Sequence, residues 1–97
     1  MRRQYFVHYY KRFANAYNLF YADTEEDLKL VPEDAERITR KKAESLAADE
    51  NYRRRTDRSF SGFADNAVYP VGMTERDIYN LEQEIGFHKV GYVWERN

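Results

Sequence analysis

The stretch Tyr5-Phe6-Val7-His8-Tyr9-Tyr10-Lys11-Arg12-Phe13 decides the fold class. It is dense in aromatic residues with one β-branched Val, side chains that fit a pleated surface, so it reads as a strand. Alternation puts Tyr5, Val7, Tyr9 and Phe13 on one face and Phe6, His8, Tyr10 and Arg12 on the other. Rings on both faces describe a central strand covered on at least one side. Ala14-Asn15-Ala16 is a short connection, and Tyr17-Asn18-Leu19-Phe20-Tyr21-Ala22 returns as the second strand of a β-hairpin.

Downstream, Asp23-Thr24-Glu25-Glu26-Asp27 is a helix start, with a capping side chain followed by acids that complement the helix dipole. Pro32 ends that helix early, giving one or two turns over 24–30. Thr39 caps a longer helix, expected from Arg40 to about Arg55, with a narrow stripe at Ala43, Leu46, Ala47 and Glu50. Ile38 is placed to act as a hydrophobic staple. A loop follows over Thr56 to Asn66, pinned by Phe60 and Phe63. Ala67-Val68-Tyr69-Pro70-Val71 is a short strand with Pro70 at an edge or an end. Thr74-Glu75-Arg76-Asp77 opens a helix over 75–85 that buries Ile78, Leu81 and Ile85. Gly86 fits its left-handed C-cap, with Phe87 as the apolar contact beyond it. A last strand runs from His88 to Trp94, weakened or bulged at Gly91. The expected fold is therefore α+β: a single small two-layer domain over 1–97, ordered β-β-short α-α-β-α-β. Its sheet is mainly antiparallel, with the helices packed on one face.

Ninety-seven residues suffice for one domain. Leu, Ile, Val and Phe together make up only about a fifth of the chain, at the border of a disordered composition. The 9 Tyr and 1 Trp supply the missing apolar area, so a thin, Tyr-rich core is expected. No apolar run approaches the roughly 20 residues needed to cross a bilayer. The basic opening Met1-Arg2-Arg3 is followed too soon by polar residues to act as a signal peptide. With no Cys there is no thiolate chemistry and no Cys-held zinc, and a cytoplasmic address is expected.

The net charge of −1 is unevenly spread. Residues 1–22 carry Arg2, Arg3, Lys11 and Arg12 and no acid, whereas residues 23–50 are strongly acidic. Residues 51–58 are basic again, and the remainder is acidic. Such alternation argues against a nucleic-acid binder built on the whole surface.

No motif for turnover emerges. Asp23, Glu25, Glu26 and Asp27 lack calcium-loop spacing and are explained by capping. His8 and His88 have no partners at catalytic or zinc spacing. Ser59 and Ser61 lack the G-x-S-x-G elbow, and the single Gly of that loop makes no phosphate cradle. Neither a cofactor nor a metal is implied. The best-formed feature is basic: Lys41, Lys42, Arg53, Arg54, Arg55 and Arg58 on one helix and its exit, beside Tyr52. Arg forks suit carboxylates and phosphates, and Tyr offers a stacking plane. On a helix, Arg53 to Arg55 would spread over about 200° and could not all face one ligand. The second feature is the hairpin, whose Tyr5, Tyr9, Tyr10, Tyr17 and Tyr21 exceed what one face of a small core is expected to bury. Tyr and Arg dominate protein interfaces. Tyr9 and Tyr10 therefore join Tyr52 and the basic cluster as candidate partner-binding residues. Both features also have plain readings, as a solvated helix end and as core.

Through the hairpin, then Glu36-Arg37-Ile38-Thr39-Arg40-Lys41-Lys42-Ala43-Glu44, Tyr52-Arg53-Arg54-Arg55-Thr56-Asp57, Phe60-Ser61-Gly62-Phe63-Ala64-Asp65 and Tyr69-Pro70, the chain resembles a group of small phage and mobile-element proteins. These are uncharacterised proteins of phages and conjugative elements of Gram-positive gut bacteria. The resemblance covers about residues 5–71 and assigns no functional residue. It implies a non-enzymatic accessory factor that binds a host protein, including inhibitors of host defence of the anti-CRISPR kind. A small nucleic-acid-binding regulator using the same Arg and Tyr residues is the competing expectation. Homodimerisation through a sheet edge or the Tyr face is a further possibility.

Overall fold

The computed structural model describes residues 1–9, 16–49, 53–54 and 67–97, with the backbone alone described at 16, 53 and 54. Strand β1 (Gln4–Tyr9) and strand β2 (Ala16–Ala22) form the expected antiparallel hairpin, in register from Gln4↔Ala22 to Tyr9↔Tyr17. The short helix α1 (Glu25–Leu28) follows. Its Thr24 hydroxyl accepts from the Asp27 N–H, and the Asp27 carboxylate accepts from the Thr24 N–H, a reciprocal capping box. Strand β3 (Glu36–Ile38) then pairs antiparallel with the outer side of β1, and helix α2 (Arg40–Ala47) starts behind the Thr39 cap. Strand β4 (Arg53–Arg54) and strand β5 (Val68–Pro70) both run parallel to β2. Helix α3 (Glu75–Glu82) leads to strand β6 (Phe87–Val90) and strand β7 (Val93–Arg96).

The strand order is β3-β1-β2-β5-β7-β6, with β4 beside β2. The α+β class stands. The sheet is mixed, because β2–β5 and β5–β7 are parallel at its centre and β3–β1–β2 and β7–β6 are antiparallel outside. Pro70 ends its strand, as its missing N–H requires.

The expectation of helices on one face is corrected. Tyr5, Val7, Tyr17, Leu19, Tyr21, Val68 and Val93 pack with Ala43 and Ala47 of α2. Phe6, Phe20 and Ala22 pack instead with Leu28 at α1, and Tyr69 and Trp94 pack with Ile78 and Leu81 of α3. Phe6↔Phe20 and Phe20↔Tyr69 are cross-strand partners and share a face. So α2 covers one face and α1 with α3 the other. The cause is the two-sided apolar pattern of β1, β2 and β5, which leaves neither face free for water. Ala43 and Ala47 are fully buried, so α2 approaches the sheet through its small side chains.

Tyrosine serves as core. Tyr5, Tyr17 and Tyr21 are all buried, whereas Tyr9 on the same face is exposed and Tyr10 lies outside the described residues. The Tyr17 hydroxyl donates to the Leu46 carbonyl at 2.7 Å and the Tyr21 hydroxyl to the Trp94 carbonyl at 2.6 Å. Each ring thus buries its apolar body while its polar end stays bonded.

Three further expectations change. Helix α2 stops at Ala47 instead of continuing to about Arg55, since no apolar residue extends its stripe and Arg53–Arg54 gain ladder pairing beside β2. Helix α3 stops at Glu82, and Ile85 is 56% exposed instead of buried. The Ile85 N–H donates to the Asn80 carbonyl and the Glu84 N–H to the Leu81 carbonyl, the two bonds of a Schellman motif. Its left-handed position is therefore Glu84, φ 57°, two residues before Gly86. Gly86 is itself left-handed at φ 79°, and Phe87 is buried as expected. The single last strand becomes a hairpin. Val90 pairs Val93 across Gly91-Tyr92, and Gly91 at φ 62° supplies the positive φ of a two-residue turn rather than a bulge. Among the described residues no helix is long and apolar enough to cross a membrane.

Candidate functional site

The sequence-predicted basic cluster does not assemble on a helix end. Lys41 and Lys42 are exposed in the first turn of α2, whereas Arg53 and Arg54 lie in β4. Tyr52, Arg55 and Arg58 fall outside the described residues, as do Tyr10 and the loop phenylalanines Phe60 and Phe63. Tyr9 is 43% exposed and meets the Tyr17 ring edge-on at 5.7 Å.

A different basic constellation forms at the open end of the sheet. The β1–β3 ladder ends at Tyr5↔Ile38. Beyond that pair β1 stays in the sheet through Gln4↔Ala22, while the segment after β3 turns away at Thr39 to start α2. The two segments diverge into an open cleft of ≈ 770 Å³ lined by Arg2, Arg3, Gln4 and Tyr5 on one side and by Arg37, Ile38, Thr39 and Arg40 on the other. Tyr5 and Ile38 supply an apolar floor, since Tyr5 is buried and Ile38 packs against the same core. Four arginines supply the walls.

These arginines are not equivalent. Arg3 is spent on structure. Its Nε and Nη2 donate to both Asp23 carboxylate oxygens at 2.6 and 3.0 Å, and its Nη1 and Nη2 donate to those of Glu95 at 2.6 and 2.7 Å. Its guanidinium also stacks 3.9 Å from the Tyr21 ring centre. The Glu95 bonds hold the Arg3 pKa above its ordinary value, and in return Arg3 holds the Glu95 carboxyl below its own. Arg40 donates one hydrogen bond from Nε to Glu44 at 2.7 Å on the exposed face of α2, and that bond raises its pKa. Arg2 and Arg37 form no ion pair among the described residues. Lys41 and Lys42 follow Arg40, so the first turn of α2 carries three cations and no acid. That is the reverse of what the helix dipole favours, and it deepens the positive potential beside the cleft.

Sequence reasoning missed Arg37 and Arg40 because β3 has only three residues and carries no strand pattern. The available signal was the acid-free opening that holds Arg2 and Arg3. The remaining polar pairs are local. His8 is buried, as a packed imidazole should be, and its Nε2 lies 2.8 Å from Asp34 Oδ1, a partner that the sequence did not indicate. His88 Nδ1 lies 2.6 Å from Asn97 Oδ1 on the surface. Among the described residues no group of three or more His, Cys, Asp or Glu side chains is placed to hold a metal ion. The cleft is what the geometry offers: a shallow apolar floor between cationic walls, suited to holding an anionic group in place. In comparisons with known proteins the chain matches no family model, no curated protein and no solved structure.

Proposed function

We propose that the protein is a non-enzymatic binding module that docks on an acidic surface of a partner protein through the cleft between residues 2–5 and 37–40. One observation carries the reading: Arg2 and Arg37, free of ion pairs among the described residues, line an open cleft with a Tyr5–Ile38 floor on a chain whose net charge is −1. An apolar centre with a polar, Arg-bearing rim is the anatomy of a protein interface. The apolar floor of Tyr5 and Ile38 favours a protein, which brings apolar side chains to fill it, over a nucleic-acid backbone, which brings none. The resemblance to proteins of phages and conjugative elements makes a host defence component, of the kind anti-CRISPR inhibitors bind, the specific form of this proposal.

The test is capture from nuclease-treated bacterial lysate with the tagged protein and with its Arg2→Glu/Arg37→Glu variant. A stoichiometric protein lost from the variant supports the reading. Protected nucleic acid that is released steeply by salt, with no protein partner, overturns it in favour of a nucleic-acid-binding regulator.

A further inference from the structure

We infer that the cleft receives an extended segment with alternating acidic and apolar residues, which takes the place beside β1 that β3 leaves at Thr39. This inference rests on the docking reading above and specifies the shape and chemistry of what is docked.

The first argument is the ladder. β1 is paired with β2 along all six of its residues but with β3 only at Tyr5, Phe6 and Val7. At Gln4 the β3 side of the strand carries no strand partner, because Thr39 is already the N-cap of α2. An added strand would continue the sheet there, the usual mode by which extended peptides join a sheet edge.

The second argument is the distribution of side chains. Ile38 pairs with Tyr5 and shares the α2 face, whereas Arg37 pairs with Phe6 and shares the α1 face. A strand laid beside Gln4 alternates its side chains between those same faces. One set meets the apolar floor of Tyr5 and Ile38, and the other meets Arg37, with Arg2 lining the same cleft. The matching segment therefore reads acid-apolar-acid.

The third argument is the acid itself. Arg3, in the same wall, grips two carboxylates in bidentate fashion, which is the geometry an Arg fork offers to Asp and Glu. Bound to two carboxylates, Arg3 fixes the wall, while Arg2 and Arg37 are left to the incoming acids.

The experiment uses the full chain and fluorescein-labelled Glu-Leu-Glu-Leu-Glu, read by anisotropy. Three competitors accompany it: Gln-Leu-Gln-Leu-Gln, the block peptide Glu-Glu-Glu-Leu-Leu, and a single-stranded oligothymidine. The expected result is saturable binding of the alternating acidic peptide, about tenfold or more tighter than either other peptide. Arg37→Glu and Arg2→Glu should each weaken it by a similar factor with an unchanged circular-dichroism spectrum. Amide exchange should slow at residues 2–4 when the peptide is bound. Equal binding of the Gln peptide, equal binding of the block peptide, or binding of the oligonucleotide alone each overturns the inference. If no peptide binds while lysate capture still depends on Arg2 and Arg37, the extended segment falls and the docking reading stands. If capture is also indifferent to those arginines, both fall.

Discussion

Arg3 and Glu95 stand 92 residues apart in sequence and meet through two hydrogen bonds of 2.6 and 2.7 Å. The contact joins the residue that precedes β1 to the last strand and holds the cleft wall to β7. Because Arg3 lowers the Glu95 pKa from its ordinary 4.5, the folded state favours the carboxylate more than the unfolded chain does. That stability is present above pH 4.5 and is lost as pH falls through the depressed folded value. Thermal melts between pH 6 and pH 3 should show the loss, and Glu95→Gln should flatten the curve while lowering stability at pH 6. A variant with an unchanged acid limb would assign the acid sensitivity elsewhere.

Tyr21 gives the alkaline counterpart. Burial raises its pKa above 10.0, and its hydroxyl donates to the Trp94 carbonyl. The unfolded chain ionises this phenol first, so its contribution is complete below pH 10 and declines as pH rises beyond it. Tyr21→Phe should cost about 1 kcal/mol at neutral pH, for the bond lost and the carbonyl left buried. Phenolate absorbance during an alkaline titration should show one fewer late-ionising tyrosine in the variant.

At the end of α3, Glu84 occupies the left-handed position of the Schellman motif. An L residue with a Cβ pays about 1 kcal/mol or more there, which Gly avoids. Glu84→Gly should therefore stabilise the protein by about 0.5–1 kcal/mol, although Gly substitutions usually destabilise. Chemical denaturation with an unchanged m-value measures it.

Leu19 is among the largest fully buried side chains and sits in the cluster that joins β1, β2, β5, β7 and α2. Truncation to Ala should cost about 2–5 kcal/mol, a large share of the stability of a chain this small. If urea denaturation gives a loss below 1 kcal/mol, the Leu19 side chain is not packed at the centre of that cluster.

Replacing Thr74 by Ala removes the hydroxyl that accepts from the Asp77 N–H and half of a reciprocal capping box. The expected loss is about 1 kcal/mol, read as a lower melting temperature with the native spectrum retained.

By itself the sequence determined the local structure: the Tyr-rich hairpin, the three capping threonines at 24, 39 and 74, the early stop at Pro32 and the α+β class. These are set by side-chain periodicity and by hydrogen bonds that span three or four residues, so neighbours in sequence suffice. Only the tertiary structure decided that the helices divide between two faces and that the sheet is parallel at its centre. It also placed Arg53 and Arg54 beside β2, made a turn of Gly91 and a helix cap of Glu84, and opened the cleft. Those outcomes depend on which strands become neighbours. The pairing of three-residue β3 with β1 brings Arg37 and Arg40 opposite Arg2 and Arg3, across more than thirty residues of intervening chain, and no local pattern encodes that meeting.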